Sequence, residues 1–119
     1  MTEDGLLVIS PCRDESQYMR QTLDTMVSQT RKPDLWLIVD DGSTDETLSL
    51  LKNHQSQYGY VLKSRSKGLG LFAHWNQVIG ELLSEEHAPE YLTIAHSDDL
   101  YLPGMFEAQM NFLDEHPHV

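Results

Sequence analysis

The stretch Leu35-Trp36-Leu37-Ile38-Val39-Asp40-Asp41-Gly42-Ser43 decides the fold, because an apolar run passes directly into a polar turn. A continuous apolar run bounded by a turn predicts a strand that is buried on both faces, as in a parallel sheet. Asp40-Asp41-Gly42-Ser43 predicts the turn, and Thr44 or Asp45 can cap a helix that runs to about Gln57. The segment therefore predicts one strand–turn–helix unit.

The same order of elements continues on both sides of this unit. Leu6–Ile9 predicts the preceding strand, and the helical spacing of five apolar side chains predicts the helix between the two: Tyr18, Met19, Leu23, Met26 and Val27. Further along, the predicted elements are an edge strand at Tyr60–Lys63, a helix over residues 72–84, a strand at Tyr91–Ala95, and a last helix with Pro103 in its first turn, ending near His116. Strands that alternate with helices predict one α/β domain over residues 1–119, a Rossmann-like three-layer α/β/α fold with a mainly parallel four-strand sheet.

Polar segments follow the first, second and fourth predicted strands. In parallel sheets, ligands bind beyond the carboxyl ends of the strands, near a switch in strand order. We therefore expect three segments to converge: Pro11–Glu15, Asp40–Ser43 and His96–Asp99.

Asp40 and Asp41 are adjacent carboxylates at the end of a buried strand. Neighbouring side chains of a strand point to opposite sides, so one carboxylate can serve a ligand while backbone N–H groups hold the other. A carboxylate accepts hydrogen bonds only, which suits the N3–H of uracil or the hydroxyls of ribose. The alternative is a solvated turn before a helix.

The first loop contributes Arg13, whose planar guanidinium can stack on a base or bind phosphate in a bidentate manner. Alternatively, Asp14, Glu15 and Ser16 simply favour the start of a helix. The neighbouring Cys12 is the only cysteine, which excludes an internal disulfide and fits packing behind the loop.

His96, Asp98 and Asp99 form the third segment. Residues i and i+2 of a strand face the same way, so His96 and Asp98 can share one ligand. Paired carboxylates are hard oxygen donors for Mg²⁺ or Mn²⁺ bound to a diphosphate, and an imidazole beside them favours Mn²⁺. Alternatively, the acids only precede a helix N-terminus.

The composition narrows the possible partners. Eight Lys and Arg residues against nineteen Asp and Glu give a net charge of −11, which disfavours nucleic acid. A nucleotide diphosphate would need a divalent cation to bridge it to carboxylates in this field. The sequence has no signal peptide and no apolar run long enough to cross a bilayer, so it predicts a cytoplasmic location, with the inner face of the membrane as an alternative.

Four segments in order resemble motifs of the family 2 glycosyltransferases, which have the GT-A fold. The S-x-Q-T, V-D-D-G-S-x-D-x-T, G-x-x-x-A-x-N and D-x-D-D-x-x-x-P patterns of that family are similar to Ser28–Thr30, Val39–Thr47, Gly70–Asn76 and His96–Pro103. The resemblance covers essentially the whole chain, as the nucleotide-sugar-binding half of that domain. Three positions depart from the family: Arg13-Asp14 replaces Tyr-Asn, His96 replaces an Asp, and Trp75 stands where Arg often precedes the Asn.

The resemblance implies transfer of a sugar from a nucleoside diphosphate, UDP-linked, to a hydroxyl of a saccharide or lipid-linked acceptor. Mn²⁺ or Mg²⁺ would neutralise the leaving diphosphate. The resemblance assigns Asp41 to the base with Asp40 close by, Pro11 and Glu15 to the nucleoside, Asp98 to the metal, and Asp99 to the vicinity of the donor sugar. It also implies that the general base lies beyond residue 119, so that the segment alone would catalyse poorly.

Two alternatives to this enzyme remain. One is a GT-A-like module that binds a nucleotide or a partner without chemistry, in which a homodimer could replace the missing half of the domain. The other is a nucleotidyltransferase, which shares the architecture. That class normally has a glycine-rich, basic loop after the first strand, and Pro11–Glu15 does not match such a loop.

Overall fold

A computed structural model describes residues 5–65, 73, 76, 77, 80 and 90–119. Three sequence predictions fall largely outside these residues: the loop at Gly68–Gly70, the helix over 72–84, and the family-like segment Gly70–Asn76 with Trp75. They stay predictions.

The described residues form four strands and three helices. In chain order they are β1 (Leu6–Cys12), α1 (Ser16–Val27), β2 (Leu35–Asp41), α2 (Thr47–Tyr58), β3 (Val61–Arg65), β4 (Tyr91–Ile94) and α3 (Met105–Glu115). The four strands make one sheet in the order β3-β2-β1-β4, and every neighbouring pair is parallel. The predicted α/β fold with a four-strand parallel sheet is confirmed.

The strand order switches direction at β1. The chain adds β2 and β3 on one side of β1 and then places β4 on the other side. A switch of this kind opens a crevice at the carboxyl ends of the two strands that flank it. The crevice therefore lies where β1 ends at Cys12 and the chain leaves β4 after Ile94.

Strand β2 is longer than predicted. Asp40 and Asp41 are strand residues and not part of the turn, because β3 pairs with both of them, opposite Ser64 and Arg65. On the other side Asp40 lies opposite Cys12 of β1. The sequence-based turn was wrong at these two positions because tertiary pairing extends the strand.

Helix α2 begins later than predicted, at Thr47, and neither Thr44 nor Asp45 is its N-cap. The backbone N–H groups of Thr44 and Asp45 instead donate to one carboxylate oxygen of Asp14, at 2.6 and 3.1 Å. Asp45 still supports the helix start, since its carboxylate accepts a hydrogen bond from the Thr47 N–H at 2.8 Å. A contact distant in sequence thus displaces the helix start.

The buried face of α1 is narrower than the apolar spacing suggested. Met19, Leu23 and Met26 are fully buried, as predicted, but Tyr18 and Val27 are exposed. The helix also buries Thr22, which the apolar pattern did not include.

Helix α3 begins after Pro103 rather than with it in the first turn. The carbonyl oxygen of Pro103 accepts a hydrogen bond from the Thr30 N–H at 2.8 Å, which holds this residue against the end of α1.

The core lies on both faces of the sheet. One face packs against the helices, and its buried residues include Val8, Leu23, Ile38, Leu51 and Phe106. The opposite face buries a smaller cluster formed by Leu7, Ile9, Leu37 and Val39. Among the described residues, no helix combines the length and the apolar character needed to cross a membrane.

Gly59 ends α2 in the left-handed conformation, with φ of 81°. We expect Gly59→Ala to lower the free energy of unfolding by about 1 kcal/mol, because a β-carbon is strained at positive φ. Gly59→Asn is the matched control and should lose clearly less, since Asn tolerates this conformation. Urea denaturation of both variants measures the difference, and equal losses would contradict the conformational explanation.

Candidate functional site

A polar cavity of about 400 Å³ lies at the carboxyl ends of β1, β2 and β4. The residues that line it come from all three predicted segments: Pro11, Cys12, Arg13, Glu15, Asp41, His96 and Asp98. The predicted convergence of these segments is therefore present in the structure. A second cavity of about 410 Å³ lies between β4 and α3 and is lined mostly by apolar side chains, so we place the candidate site in the polar one.

Asp40 and Asp41 differ in surroundings, as strand alternation predicts. Asp40 is fully buried and accepts hydrogen bonds from the N–H and the hydroxyl of Ser43. Asp41 is 4% exposed and lines the cavity. Asp40 thus supports the turn from the end of β2 behind the site, and Asp41 is the carboxylate of this pair that lies at the cavity wall.

The first loop is held to the second loop by Asp14. This residue has a φ of 53°, which is uncommon for a residue other than glycine. Its carboxylate accepts the N–H groups of Thr44 and Asp45, and its own N–H donates to the Ser43 hydroxyl at 2.9 Å. Next to it, the Glu15 N–H donates to the Thr47 hydroxyl at 2.9 Å. These hydrogen bonds hold the first loop, which carries Arg13, against the segment that follows Asp41.

Glu15 connects the first loop to the third. The Ser97 hydroxyl donates to the Glu15 carboxylate and also lies 3.2 Å from the carbonyl oxygen of Pro11. Burial raises the pKa of Glu15 to about 7, and the negative charges of Asp98 and Asp99 add to the effect. Near neutral pH this carboxyl group is therefore partly protonated, and a cation bound beside Asp98 would favour its ionised form.

Cys12 has the inert environment that the sequence suggested. It is buried in the core, and its Sγ lies 3.8 Å from Oδ1 of Asp40. Burial raises the pKa of the thiol, and the charges of Asp40 and Glu15 raise it further. A thiol in this state is not a nucleophile at neutral pH.

The raised pKa of Glu15 predicts a pH dependence of stability. In the unfolded chain the carboxyl ionises near 4.5, so between about pH 4.5 and 7 the folded state binds more protons than the unfolded state. The free energy of unfolding contributed by this group therefore falls as pH rises through that window. The fall should be about 1 to 2 kcal/mol, because the half-buried carboxyl is partly screened by solvent.

Glu15→Gln should remove this part of the pH dependence. Urea denaturation at pH 5 and pH 7.5 measures it, and the quantity to compare is the change in unfolding free energy between the two pH values. If the variant shows the same change as the unaltered chain, Glu15 is not the group responsible.

The third loop is held from several directions. The Tyr101 hydroxyl donates to the His96 carbonyl at 2.7 Å, and burial beside Asp99 and Asp98 raises the pKa of Tyr101, so this donor stays protonated. From α1, the Thr22 hydroxyl lies 2.9 Å from the Ser97 carbonyl and 2.8 Å from the Asp99 carbonyl. Asp98 therefore sits in a backbone segment that is anchored on both sides.

The residues predicted for a metal fit only part of a coordination shell. His96 and Asp98 both line the cavity, as their spacing predicts. Across the described ranges, no three His, Cys, Asp or Glu side chains come together to hold a metal ion by themselves. Mg²⁺ and similar ions in nucleotide sites use one or two carboxylates together with substrate phosphates and water. Two protein ligands are therefore compatible with a cation that arrives with a diphosphate.

Two predicted site residues lie off the cavity wall. Asp40 is behind it, and Asp99 is exposed but is not among the lining residues. Their roles toward a donor stay predictions. Arg13 is exposed at the cavity, and its guanidinium is the one permanently charged cation among the described residues that line it.

Sequence reasoning missed the residues that join the loops. Thr22 and Ser97 had no assigned role, and Asp14 was considered only as a residue that favours a helix start, although each holds a segment of the site. One signal was present for Thr22, since it lies between Met19 and Met26 on the buried helix face, where a polar side chain needs a partner. Nothing in the sequence indicated which partner.

The fold and the site define an α/β class with a parallel sheet and an acidic crevice at its switch point. Residues 7–119 match the family described as Glycosyl transferase family 2. The chain belongs to this family.

The curated relatives are much longer than this chain. The chain is 27% identical over 116 residues to an uncharacterised protein of Mycobacterium tuberculosis, covering 94% of this chain and 32% of the relative. It is 29% identical over 108 residues to an uncharacterised glycosyltransferase of Rickettsia typhi, covering 91% of this chain and 31% of the relative. The chain thus spans about a third of the length of these relatives.

The solved structure of S. aureus TarS 1–349 in complex with UDP-GlcNAc has the same arrangement of elements. It superposes with a TM-score of 0.77 at 22% identity, over 95% of this chain and 32% of the TarS chain. The same TarS fragment has also been solved with UDP. At this identity the likeness establishes the fold.

Proposed function

We propose that this chain is the donor-binding part of a metal-dependent glycosyltransferase that transfers a sugar from a UDP-linked donor to a hydroxyl acceptor. The observation that carries the proposal is the convergence of Arg13, Asp41, His96 and Asp98 around one cavity at the switch point. Family membership supports the reaction class, and the UDP and UDP-GlcNAc complexes of TarS support the donor.

Asp41 recognises the base in this proposal. Its carboxylate is buried at the cavity wall, where an acceptor-only group can receive the N3–H of uracil. The hydrogen bonds that the loop after Asp41 donates to the Asp14 carboxylate hold the Asp41 side of the cavity in place. Arg13 lies on the same wall and can stack on the base or bind phosphate.

His96 and Asp98 would hold the cation, and the family resemblance assigns Asp99 to the vicinity of the donor sugar. When bound, Mn²⁺ or Mg²⁺ supplies positive charge for the leaving diphosphate. The need for it follows from the charges at the site, because Glu15, Asp41 and Asp98 all face a cavity in a chain of net charge −11. A diphosphate is repelled by this field unless a cation accompanies it.

The acceptor, a saccharide or a lipid-linked sugar, and the general base belong in this proposal to the part of the family domain that this chain does not span. The relatives' greater length supports this placement. The described residues then bind and orient the donor, and the proton of the acceptor hydroxyl is removed elsewhere.

Calorimetric titration of the chain with UDP, in Mn²⁺ and in chelator, tests the donor site. We expect binding in Mn²⁺ that is at least about tenfold tighter than in chelator, since the cation cancels repulsion between the diphosphate and the acidic wall. ADP is the matched control for the base and should bind more weakly than UDP. Folded protein that binds no UDP at millimolar concentration would refute the donor site.

The second candidate is a module that binds a nucleotide or a partner, including a second copy, without catalysing transfer. The observation in its favour is the incomplete protein shell around the metal position in the described residues, with His96 in place of a carboxylate. Hydrolysis of a UDP-sugar, which is transfer of the sugar to water, distinguishes the enzyme from the binding module. Slow, metal-dependent release of UDP by the full-length protein supports the enzyme, and tight binding with no release supports the module.

A further inference from the structure

We propose that Thr22 of α1 is the positioning residue that sets where Asp98 lies relative to His96, so that α1 determines the geometry of the metal-binding loop. For its reference to a metal, this inference rests on the proposed function. It goes further, because it assigns the placement of the site to a residue that lies on another element and does not line the cavity.

The contacts of Thr22 are specific to the backbone around Asp98. Its hydroxyl is buried and lies 2.9 Å from the carbonyl oxygen of Ser97 and 2.8 Å from that of Asp99. One hydroxyl hydrogen is thus shared between the residues immediately before and after Asp98, an arrangement known as a three-centre bond. The two contacts fix the backbone on both sides of Asp98 and therefore the direction in which its side chain points.

The segment that follows α1 holds the far end of this loop. The Gln29 side chain is buried, donates to the Leu102 carbonyl at 2.7 Å, and accepts the Phe106 N–H at 3.1 Å. Thr22 lies in α1, and Gln29 lies just beyond the C-terminal end of that helix. The loop between β4 and α3 is therefore held near its start by α1 and at its far end by the segment that follows α1.

Asp98 itself is exposed, and within the described part of the chain its side chain makes no hydrogen bond, so its position follows from its backbone. Because Tyr101 holds the His96 carbonyl at 2.7 Å independently of Thr22, loss of the Thr22 hydroxyl moves one metal ligand relative to the other. A two-residue ligand set is sensitive to such a change, since the cation needs both donors at bonding distance together.

The test compares Thr22→Val, which keeps the shape and removes the hydroxyl, with Thr22→Ser, which retains the hydroxyl. Thr25→Val is the matched control, because the Thr25 hydroxyl bonds only within α1, to the Thr22 carbonyl at 2.8 Å. Calorimetry measures UDP affinity in Mn²⁺ and in chelator, and hydrogen exchange measures the amides of residues 97–100.

We expect Thr22→Val to weaken UDP binding in Mn²⁺ by about tenfold, because the buried Ser97 carbonyl and the partly buried Asp99 carbonyl lose their donor. UDP affinity in chelator should not change, Thr22→Ser and Thr25→Val should bind in Mn²⁺ within about twofold of the unaltered chain, and exchange at residues 97–100 should quicken only in Thr22→Val. A positioning role predicts this split between metal-dependent and metal-free affinity.

Three outcomes overturn the inference: unchanged Mn²⁺-dependent affinity in Thr22→Val, equal losses with and without metal, or failure of Thr22→Ser to restore binding. If Thr22→Val does not fold, the same affinity and hydrogen-exchange measurements are made on Thr22→Ala, which lacks the hydroxyl, and are compared with those on Thr22→Ser, which retains it. If the unaltered chain shows no Mn²⁺-dependent UDP binding, the proposed function fails, and the exchange comparison alone then decides whether Thr22 holds the loop.

Discussion

Phe106→Ala should lower the free energy of unfolding by about 3 to 5 kcal/mol, the range found when a buried Phe is truncated in a core. The side chain of Phe106 is fully buried in the cluster between the sheet and the helices. Since domains of this kind are stable by only about 5 to 15 kcal/mol, the loss should remove a large part of the free energy of unfolding. Urea denaturation followed by circular dichroism measures it.

The expected loss has a functional consequence as well. Phe106 packs against Tyr101, with ring centroids 6.5 Å apart, and Tyr101 holds the His96 carbonyl. A cavity at Phe106 therefore loosens the residue that supports one of the two proposed metal ligands. Protein that remains folded should bind UDP in Mn²⁺ more weakly.

Phe112→Ala is the matched control on the same helix. Phe112 is 52% exposed, so its truncation should cost less than about 1 kcal/mol. Similar losses for the two variants would mean that α3 is not packed on the sheet through Phe106.

Asp98→Asn should remove the dependence of UDP binding on Mn²⁺. Asp98 is the only carboxylate of the third loop that lines the cavity, and the amide that replaces it is a much weaker ligand for a hard cation. We expect affinity in Mn²⁺ to fall by about 10- to 100-fold, since a hydrogen-bonding or coordinating charge at such a site contributes a few kcal/mol. Affinity in chelator should stay the same or rise, because a negative charge near the diphosphate is removed.

Glu115→Gln controls for the change in net charge, since Glu115 is exposed at the end of α3. It makes the chain less negative by the same amount and should leave UDP affinity unchanged in both conditions. Calorimetry on the two variants side by side separates coordination from general electrostatics. Retained Mn²⁺ dependence in Asp98→Asn would exclude this residue as a ligand.

Local patterns were sufficient for the order of elements and for much of the site. Leu6–Ile9 and Leu35–Val39 are short continuous apolar runs, which are typical of strands buried on both faces of a sheet. In the structure they lie in neighbouring parallel strands. Because parallel strands end at the same edge of a sheet, the polar segments that follow them were bound to meet. Arg13, Asp41, His96 and Asp98 were predicted on this basis and line one cavity.

Boundaries and supporting contacts could not be predicted in the same way. The extension of β2 through Asp41 depends on pairing with β3, and the late start of α2 depends on Asp14, a residue thirty positions earlier than Thr44. Tyr18 and Val27 fit the apolar spacing of α1, but their exposure was decided by which part of the helix meets the sheet.

The sequence by itself determined the fold class, the family and the polar groups at the strand ends, because these depend on periodicity and on residues close together along the chain. Tertiary structure alone decided which carboxylate lines the cavity, how Glu15 acquires its raised pKa, and that Thr22 holds the loop of Asp98. The physical reason is range: hydrogen bonds and burial at these positions join residues far apart in the chain, and no local pattern specifies such partners.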